Sequence, residues 1–160
     1  MRAAVVTVSD RVSRGEAADR SGPAAEEALR TIGFEITSTA VVPDGVESVA
    51  AALRGLIGKA DLVVTTGGTG FTDRDLTPEA TRLVIEREAP GLAEAMRAAT
   101  FGVNPHGMLS RGVAGIAGST LILNLPGSVS GVTESLAVIA EALPHAVELL
   151  TLQRSDHNVS

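Results

Sequence analysis

The chain has 160 residues, the usual size of one domain, and 44% of them are hydrophobic while only 2% are aromatic. This composition excludes a disordered chain, and a net charge of −6 with so few aromatic side chains argues against nucleic-acid binding. Because the chain has no cysteine, disulfides, thiolate catalysis and cysteine-based metal sites are excluded. The sequence shows neither the apolar core of a signal peptide nor an apolar run of about 18 residues, so we expect a cytoplasmic protein that binds no membrane.

The first half of the chain alternates strand patterns with helix patterns. Strands are predicted at 3–8, 34–42 and 61–65, a loop at 9–20, and helices at 21–32 and 46–57. Ser21 is the predicted N-cap of the first helix, and Gly33 ends it. The first strand is apolar except for Thr7 and is therefore expected to be buried on both faces, whereas the second alternates and is expected nearer an edge.

The second half of the chain continues the alternation. Thr77 is the predicted cap of a helix that has Pro78 in its first turn and continues to about Arg87. The remaining elements are predicted as a helix at 92–100, a loop at 103–107, strands at 113–116 and 121–125, a helix after Ser128, and a last helix at 144–153. The alternation predicts one α/β domain at 1–154, a three-layer sandwich with a mostly parallel sheet and helices on both faces, followed by a polar tail at 155–160.

Ligands of such sheets bind beyond the carboxyl ends of the strands, where a turn rich in glycine follows the third strand. The turn is Thr66-Gly67-Gly68-Thr69-Gly70, and its backbone can approach a ligand closely and present N–H groups to an anion. A strained corner without a ligand remains the alternative interpretation. The turn matches neither a Walker loop nor a dinucleotide fingerprint, because no lysine follows it in the required position and Asp73 stands where a third glycine belongs.

Carboxylates at the same edge favour a ligand that carries a cation. Asp75 follows the glycine turn and Asp44 follows the second strand, and carboxylates beside an anion site repel the anion unless a cation lies between them. Magnesium takes one or two carboxylates together with phosphate oxygens. Asp75 and Asp44 are therefore candidate ligands of a metal–nucleotide complex, with Arg74 facing phosphate or a carboxylate, while Asp73 is interpreted as a solvated turn residue.

Two further loops lie at this edge of the predicted sheet. Asp10, Arg11 and Arg14 follow the first strand and either line the same crevice or form a solvated loop. Pro126-Gly127-Ser128 follows the last strand and brings a hydroxyl and backbone N–H groups to a helix N-terminus, although the same tripeptide is also a common helix start.

An ordered set of motifs extends over about residues 2–150. It consists of Val5-Val-Thr-Val-Ser-Asp-Arg11, Asp19-Arg-Ser-Gly-Pro23, Val42-Pro-Asp44, Thr65-Thr-Gly-Gly-Thr-Gly70, Arg74-Asp-Leu-Thr-Pro-Glu-Ala-Thr81, Pro90-Gly-Leu-Ala-Glu-Ala-Met-Arg97, Leu109-Ser-Arg111 and Leu121-Ile-Leu-Asn-Leu-Pro-Gly-Ser128. This set resembles the molybdopterin-binding proteins of molybdenum cofactor biosynthesis, which include the Mog and MoaB proteins and domains of gephyrin and the plant protein Cnx.

The resemblance implies a molybdopterin adenylyltransferase, usually a homotrimer, which transfers AMP from Mg²⁺-ATP to the terminal phosphate of molybdopterin and releases pyrophosphate. A partner protein then inserts molybdate. The implied catalytic and Mg²⁺-binding residues are Asp44 and Asp75. The implied molybdopterin contacts are Thr66, Gly67, Gly68, Thr69, Gly70, Arg74 and Ser128, and the implied nucleotide contacts are Ser9, Asp10, Arg11, Pro126 and Gly127.

One departure from the family pattern follows Ser128. Many relatives carry Pro-Lys there, whereas this chain has Val129-Ser130 and so lacks a basic contact. The family that this chain resembles also includes MoaB-type members that keep the fold without the activity. A non-catalytic molybdopterin carrier or scaffold is therefore the alternative hypothesis.

Overall fold

The computed structural model describes residues 1–157 and contains a single six-stranded sheet. The strands are β1 (Arg2–Val8), β2 (Glu35–Val42), β3 (Leu62–Thr66), β4 (Arg87–Glu88), β5 (Ala114–Ala117) and β6 (Thr120–Leu125). Their order across the sheet is β2-β1-β3-β6-β5-β4. The four strands from β2 to β6 are parallel, and β5 is antiparallel to β6 and to β4. The predicted mostly parallel sheet with its second strand at an edge is confirmed.

Helices cover both faces of this sheet. They are α1 (Asp10–Ser13), α2 (Ser21–Ile32), α3 (Val46–Leu56), α4 (Thr77–Arg82), α5 (Pro90–Ala98), α6 (Val129–Ile139) and α7 (Ala142–His157), with a 3-10 helix at Pro105–Leu109. Alternate residues of β1 face opposite ways, as strand geometry requires. Ala3 and Val5 pack with α2, α5, α6 and α7, whereas Ala4 and Val6 pack with α3 and with Ala80 of α4. The three-layer prediction is therefore confirmed.

Both predicted N-caps are wrong, because each hydroxyl has a tertiary partner. Ser21 is the first residue of α2 and does not cap it. Instead, Oδ1 of Asp19 accepts the Gly22 N–H in the first turn of this helix at 2.9 Å. Thr77 is likewise inside α4, and its hydroxyl donates to the Gly67 carbonyl oxygen at 2.9 Å. The hydroxyl of Thr77 thus ties the helix to the glycine turn instead of closing its own first turn.

Three boundaries also differ from the sequence-based expectation. The helix expected to reach Arg87 ends at Arg82, because residues 86–89 pair with β5 through the Glu86 N–H to Ile116 and the Ala89 N–H to Ala114. The expected loop after β1 contains the single turn α1. The last helix continues to His157, inside the predicted 155–160 tail, and residues 158–160 of that tail lie outside the described part.

No single helix within residues 1–157 has the length and apolar character needed to cross a membrane. Among the described helices, α6 and the first part of α7 have the required length and apolar character only when taken together, and the two are bent by 66° relative to each other.

Candidate active site

The loops that follow the parallel strands meet at one edge of the sheet. The Ser9 N–H donates to the Val42 carbonyl oxygen at 3.0 Å, which joins the end of β1 to the end of β2. The Gly67 N–H donates to the Leu125 carbonyl oxygen at 3.1 Å, which joins the end of β3 to the end of β6. The four loops expected to line one crevice are therefore brought together.

Glycine is required at two points of this edge because two backbones nearly touch. Gly67 has a φ of +91° and Gly68 a φ of +67°, a region that other residues rarely adopt. A Cβ on Gly67 would lie 2.5 Å from the Val8 carbonyl oxygen, and a Cβ on Gly127 would lie 3.2 Å from Gly67 Cα. The Gly67 turn and the Gly127 turn consequently pack against each other and against the end of β1.

Four consecutive backbone N–H groups of the glycine turn, at residues 68–71, have no hydrogen-bond acceptor within residues 1–157. We call them the amide cradle. Thr69 is only 6% exposed, and backbone N–H groups at such depth are rarely left unpaired in a folded protein. Gly68 and Gly70 are half-buried and Phe71 is exposed, so the cradle is open to an acceptor from solvent or from a ligand. The N–H of Gly67 is not part of it, because Leu125 already accepts that bond.

A reciprocal carboxylate–backbone pair lies at the end of β1 and β2. Asp10 Oδ1 accepts the Asp44 N–H at 3.0 Å, and Asp44 Oδ2 accepts the Asp10 N–H at 2.9 Å. The guanidinium of Arg74 is 3.9 Å from Asp10 Oδ2, so the loop after β3 faces this pair. Ser9 caps α1 by accepting the Val12 N–H at 3.3 Å.

Exposed groups flank this pair. Arg11 is exposed in α1, and the Arg74 side chain is 74% exposed, so both cations are accessible to a ligand.

Asp75 closes its own loop and does not cap α4. Its Oδ2 accepts both the N–H of Thr72 at 2.8 Å and the hydroxyl of Thr72 at 2.7 Å. The same oxygen would lie 2.9 Å from a Cβ on Gly70, so the carboxylate packs directly beneath the turn.

Asp44 and Asp75 offer carboxylate oxygens of the kind that bind a divalent cation together with phosphate oxygens. Asp44 and Asp75 each keep Oδ1 without a hydrogen-bond partner in the described part of the chain. Residues 1–157 contain no group of three or more acidic, histidine or cysteine side chains that could hold a metal alone. A site of two carboxylates whose other ligands are phosphate oxygens and water is the arrangement that magnesium commonly adopts.

Two of the predicted contact residues have structural roles. Thr66 is fully buried and its hydroxyl pairs with that of Ser21 at 2.8 Å, so its side chain has a structural partner, while its contact with substrate stays a prediction. Ser128 is exposed and caps α6 by accepting the Gly131 N–H at 3.1 Å. Pro126 and Gly127 precede it in the turn that packs on Gly67.

Asn124 forms the buried floor under the glycine turn. Its Nδ2 donates to the hydroxyls of Thr65 at 3.0 Å and Thr81 at 2.9 Å, and its Oδ1 accepts the Val113 N–H at 3.1 Å. The Thr81 hydroxyl in turn donates to the Thr77 carbonyl oxygen at 2.8 Å. All hydrogen-bonding atoms of the Asn124 amide side chain except one lone pair are therefore used, and β3, β6 and α4 are joined.

Arg111 is a site residue to which the sequence analysis gave no role. Its N–H donates to the Thr69 carbonyl oxygen at 2.8 Å, its Nε to that of Gly70 at 2.8 Å, and its Nη2 to that of Asp75. Its guanidinium also pairs with Glu79. The hydrogen bond from Arg111 lowers the pKa of the Glu79 carboxyl and outweighs the opposing effect of burial. The motif Leu109-Ser-Arg111 marked this residue, but only the folded chain shows its partners.

A cavity of about 540 Å³ opens beside the amide cradle. Thr69 and Gly70 form one wall, and the other walls come from α5, the 3-10 helix and α6, with Met96, Val138 and Ser128 among the lining residues. Its size and largely apolar walls suit a small organic molecule whose polar end reaches the cradle.

The family follows from comparison with known proteins. Residues 4–145 match the family described as "Probable molybdopterin binding domain". The chain belongs to this family. Among its relatives, gephyrin of Dictyostelium discoideum is 43% identical over 91% of the chain but only 22% of its own length. Cinnamon, a molybdenum cofactor synthesis protein of Drosophila melanogaster, is 42% identical over 91% of the chain and 25% of its own length. The chain therefore spans about a quarter of these two relatives.

Shorter members of the family match over most of their length. The molybdopterin adenylyltransferase of Helicobacter pylori strain J99 is 38% identical over 91% of the chain and 85% of its own length. The structure of the molybdopterin biosynthesis enzyme MoaB from Thermus thermophilus superposes with a TM-score of 0.89 at 47% identity, covering 94% of this chain and 96% of that one. The Mog protein of Mycobacterium ulcerans gives 0.86 at 41% identity, covering 92% and 97%. The predicted family is confirmed.

Proposed function

We propose that this protein acts in molybdenum cofactor biosynthesis as a molybdopterin adenylyltransferase, transferring AMP from ATP to the terminal phosphate of molybdopterin. The observation that carries the proposal is the juxtaposition of the amide cradle with the carboxylates of Asp44 and Asp75 at one edge of the sheet. The relatives named molybdopterin adenylyltransferase, at 38–40% identity, support the same assignment.

The reaction needs little acid–base chemistry. The terminal phosphate of molybdopterin is a monoester with a second pKa of about 6, so it is largely a dianion at neutral pH. One of its oxygens attacks the α-phosphorus of ATP, the bond from that phosphorus to the β-phosphate oxygen breaks, and pyrophosphate leaves. The protein must align two anions and offset their repulsion, which suits the unpaired N–H groups at 68–71 and the exposed cations of Arg74 and Arg11.

Magnesium is the proposed cation of the nucleotide. Asp44 and Asp75 would hold it through the carboxylate oxygens that have no other partner, and when bound it would neutralise phosphate charge. Asp10 holds the Asp44 backbone in place through the reciprocal pair. The proposed nucleotide side therefore comprises the loop after β1 together with Pro126 and Gly127, and the proposed molybdopterin side comprises the cradle, Ser128 and the adjoining cavity.

The assembly and setting of the protein are also proposals. We infer a homotrimer in the cytoplasm that passes adenylyl-molybdopterin to a separate protein, which inserts molybdate. The matches to gephyrin and cinnamon support a functional link of this kind, because in those relatives the matching segment is part of a much longer chain.

The decisive experiment supplies purified protein with molybdopterin, ATP and Mg²⁺ and measures the AMP adduct by mass spectrometry. Asp75→Asn should lower adduct formation by at least about 100-fold, because it removes a charge from the reacting site while the amide oxygen still accepts the Thr72 bonds. Asp73→Asn is the matched control, since this exposed residue lies two positions earlier in the same loop and should leave the rate within about twofold. An unaltered rate in Asp75→Asn would contradict the assignment.

The alternative is a non-catalytic molybdopterin carrier or scaffold. It is favoured by Ser130, an exposed and uncharged residue near the start of α6 at the position where the family resemblance implies a lysine. Under this alternative, calorimetry detects molybdopterin binding but no binding of a non-hydrolysable ATP analogue, and no adduct forms. Binding of the ATP analogue would exclude it.

A further inference from the structure

We propose that Arg111, held by Glu79, is a positioning residue that orients half of the amide cradle. The inference rests on the proposed function for its consequence in AMP transfer, but its geometric part concerns the free protein. Arg111 follows the 3-10 helix and is 41 residues from Gly70, so it reaches the turn after β3 from a separate part of the chain.

Carbonyl capture is the means by which Arg111 acts. In a trans peptide the C=O of one residue and the N–H of the next point in opposite directions. The backbone N–H of Arg111 donates to the Thr69 carbonyl oxygen, and its Nε donates to the Gly70 carbonyl oxygen, each at 2.8 Å. The N–H groups of Gly70 and Phe71 are therefore turned away from Arg111.

Thr77 orients the other half in the same manner. Its hydroxyl donates to the Gly67 carbonyl oxygen at 2.9 Å, and its N–H to that of Gly68 at 3.0 Å. The N–H groups of Gly68 and Thr69 are thereby turned away from Thr77. Two anchors from different parts of the chain thus fix four consecutive N–H groups, and neither anchor itself needs to touch the ligand.

The guanidinium is committed to the protein. Nε is used by Gly70, Nη1 by Glu79, and Nη2 by both Glu79 and the Asp75 carbonyl oxygen. Four of its five N–H donors are thereby engaged, which leaves little capacity for a substrate phosphate. Lysine cannot reproduce this fork, because a single ammonium group on a flexible stem does not reach these acceptors in a fixed plane.

Arg111→Lys is the test, with Arg2→Lys as its matched control. Arg2 also pairs with a carboxylate, Asp61, at 2.9 Å and is similarly exposed, but it lies at the opposite end of the parallel strands. The nuclear magnetic resonance order parameter of the Phe71 amide, recorded without ligand, should fall in Arg111→Lys from about 0.85 toward 0.6, because the Gly70 carbonyl loses its Nε partner. The order parameter of the Gly70 amide should change less, because the backbone N–H of residue 111 still holds the Thr69 carbonyl. Both order parameters should stay at the wild-type value in Arg2→Lys.

A second measurement uses inorganic phosphate as the probe, because it stands in for the terminal phosphate of molybdopterin that the cradle is proposed to bind. The dissociation constant of phosphate should rise by about tenfold in Arg111→Lys and stay within about twofold in Arg2→Lys. Glu79→Gln leaves the carbonyl contacts of Arg111 in place and removes only the charge that orients it, so it should weaken binding in the same direction by about threefold. It also preserves the test if Arg111→Lys fails to fold.

The outcomes separate this inference from the proposed function. If wild-type protein forms no AMP adduct, the proposed adenylyltransferase activity is refuted. A lower order parameter of the Phe71 amide in Arg111→Lys would still support the positioning role of Arg111. An unchanged order parameter of the Phe71 amide and unchanged phosphate affinity in Arg111→Lys or Glu79→Gln would overturn the positioning role of Arg111, even if the wild-type enzyme transfers AMP.

Discussion

Gly67→Ala is the substitution whose cost the structure defines most closely. A Cβ at this position would lie 2.5 Å from the Val8 carbonyl oxygen, whereas ordinary contact begins at 3.4 Å. The obstacle is backbone of the central strand β1, so it cannot rotate away as a flexible side chain would. Alanine would also have to adopt the φ of +91° that Gly67 has.

The expected loss of stability has two parts. Left-handed backbone costs a residue with a Cβ about 1–2 kcal/mol. Forcing a methyl group into packed backbone costs a further 1–3 kcal/mol or so, because the strand end must move. Gly15→Ala isolates the first part, since Gly15 has a φ of +72° and a Cβ there would meet nothing within 4 Å. Gly67→Ala should therefore be less stable than Gly15→Ala by about 1–3 kcal/mol.

Urea unfolding at fixed protein concentration measures this difference. The chain has no tryptophan or tyrosine, so the transition is followed by far-ultraviolet circular dichroism rather than by fluorescence. The urea midpoint of Gly67→Ala should lie about 0.3–1.5 M below that of Gly15→Ala, given a typical urea dependence of about 2–3 kcal/mol per M. Coincident midpoints would refute the close approach of the Gly67 turn to β1.

Three more changes have defined outcomes. Asn124→Leu should lower the free energy of unfolding by about 2–4 kcal/mol in a denaturant titration, because it leaves two buried hydroxyls and one N–H without their partner; a loss below about 1 kcal/mol would contradict this. Burial raises the pKa of Asp61, but the hydrogen bonds and the charge of Arg2 together lower this pKa by more than burial raises it, so the net shift is downward. Stability from this pair is present above about pH 4 and lost as the pH falls through the lowered pKa, so Asp61→Asn should be less stable at pH 7 and show a shallower acid-induced loss in melting temperature. Ser128→Ala should cost about 1 kcal/mol through the lost cap on the Gly131 N–H, which melting temperatures would register against Ser130→Ala as a control.

The layered fold was predictable because local patterns and tertiary packing agree. The mostly apolar run at 3–8 forms an interior strand of the sheet, and the alternating run at 34–42 forms an edge strand. Prediction failed where a distant partner overrides local preference. Ser21 and Thr77 have the chemistry of helix caps, but each hydroxyl is used by the glycine turn region instead. The short strand β4 exists only because β5 is available to pair with it.

The candidate site divides in the same way. Glycines with positive φ and carboxylates after strands carry their meaning in the sequence, and Gly67, Asp44 and Asp75 are brought to one edge as expected. The roles of Arg111 and Thr66 depend on exact distances that no residue pattern encodes. Arg111 holds the Gly70 carbonyl oxygen, which is 41 residues away, and Thr66 is fully buried by neighbours that only the folded chain supplies.

The position of β6 in the sheet has a consequence for synthesis on the ribosome. Its partner β3 is buried at every residue in the finished protein, yet β6 begins 54 residues after β3 ends, at Thr120 after Thr66. A nascent chain that contains β3 but has not yet reached Thr120 can pair β1, β2 and β3. In such a chain the edge of β3 that later pairs with β6 is open. Such an edge is a template for pairing with other chains. Growing chains of this protein therefore need protection until β6 emerges, and truncations before Thr120 should aggregate instead of folding into a smaller domain.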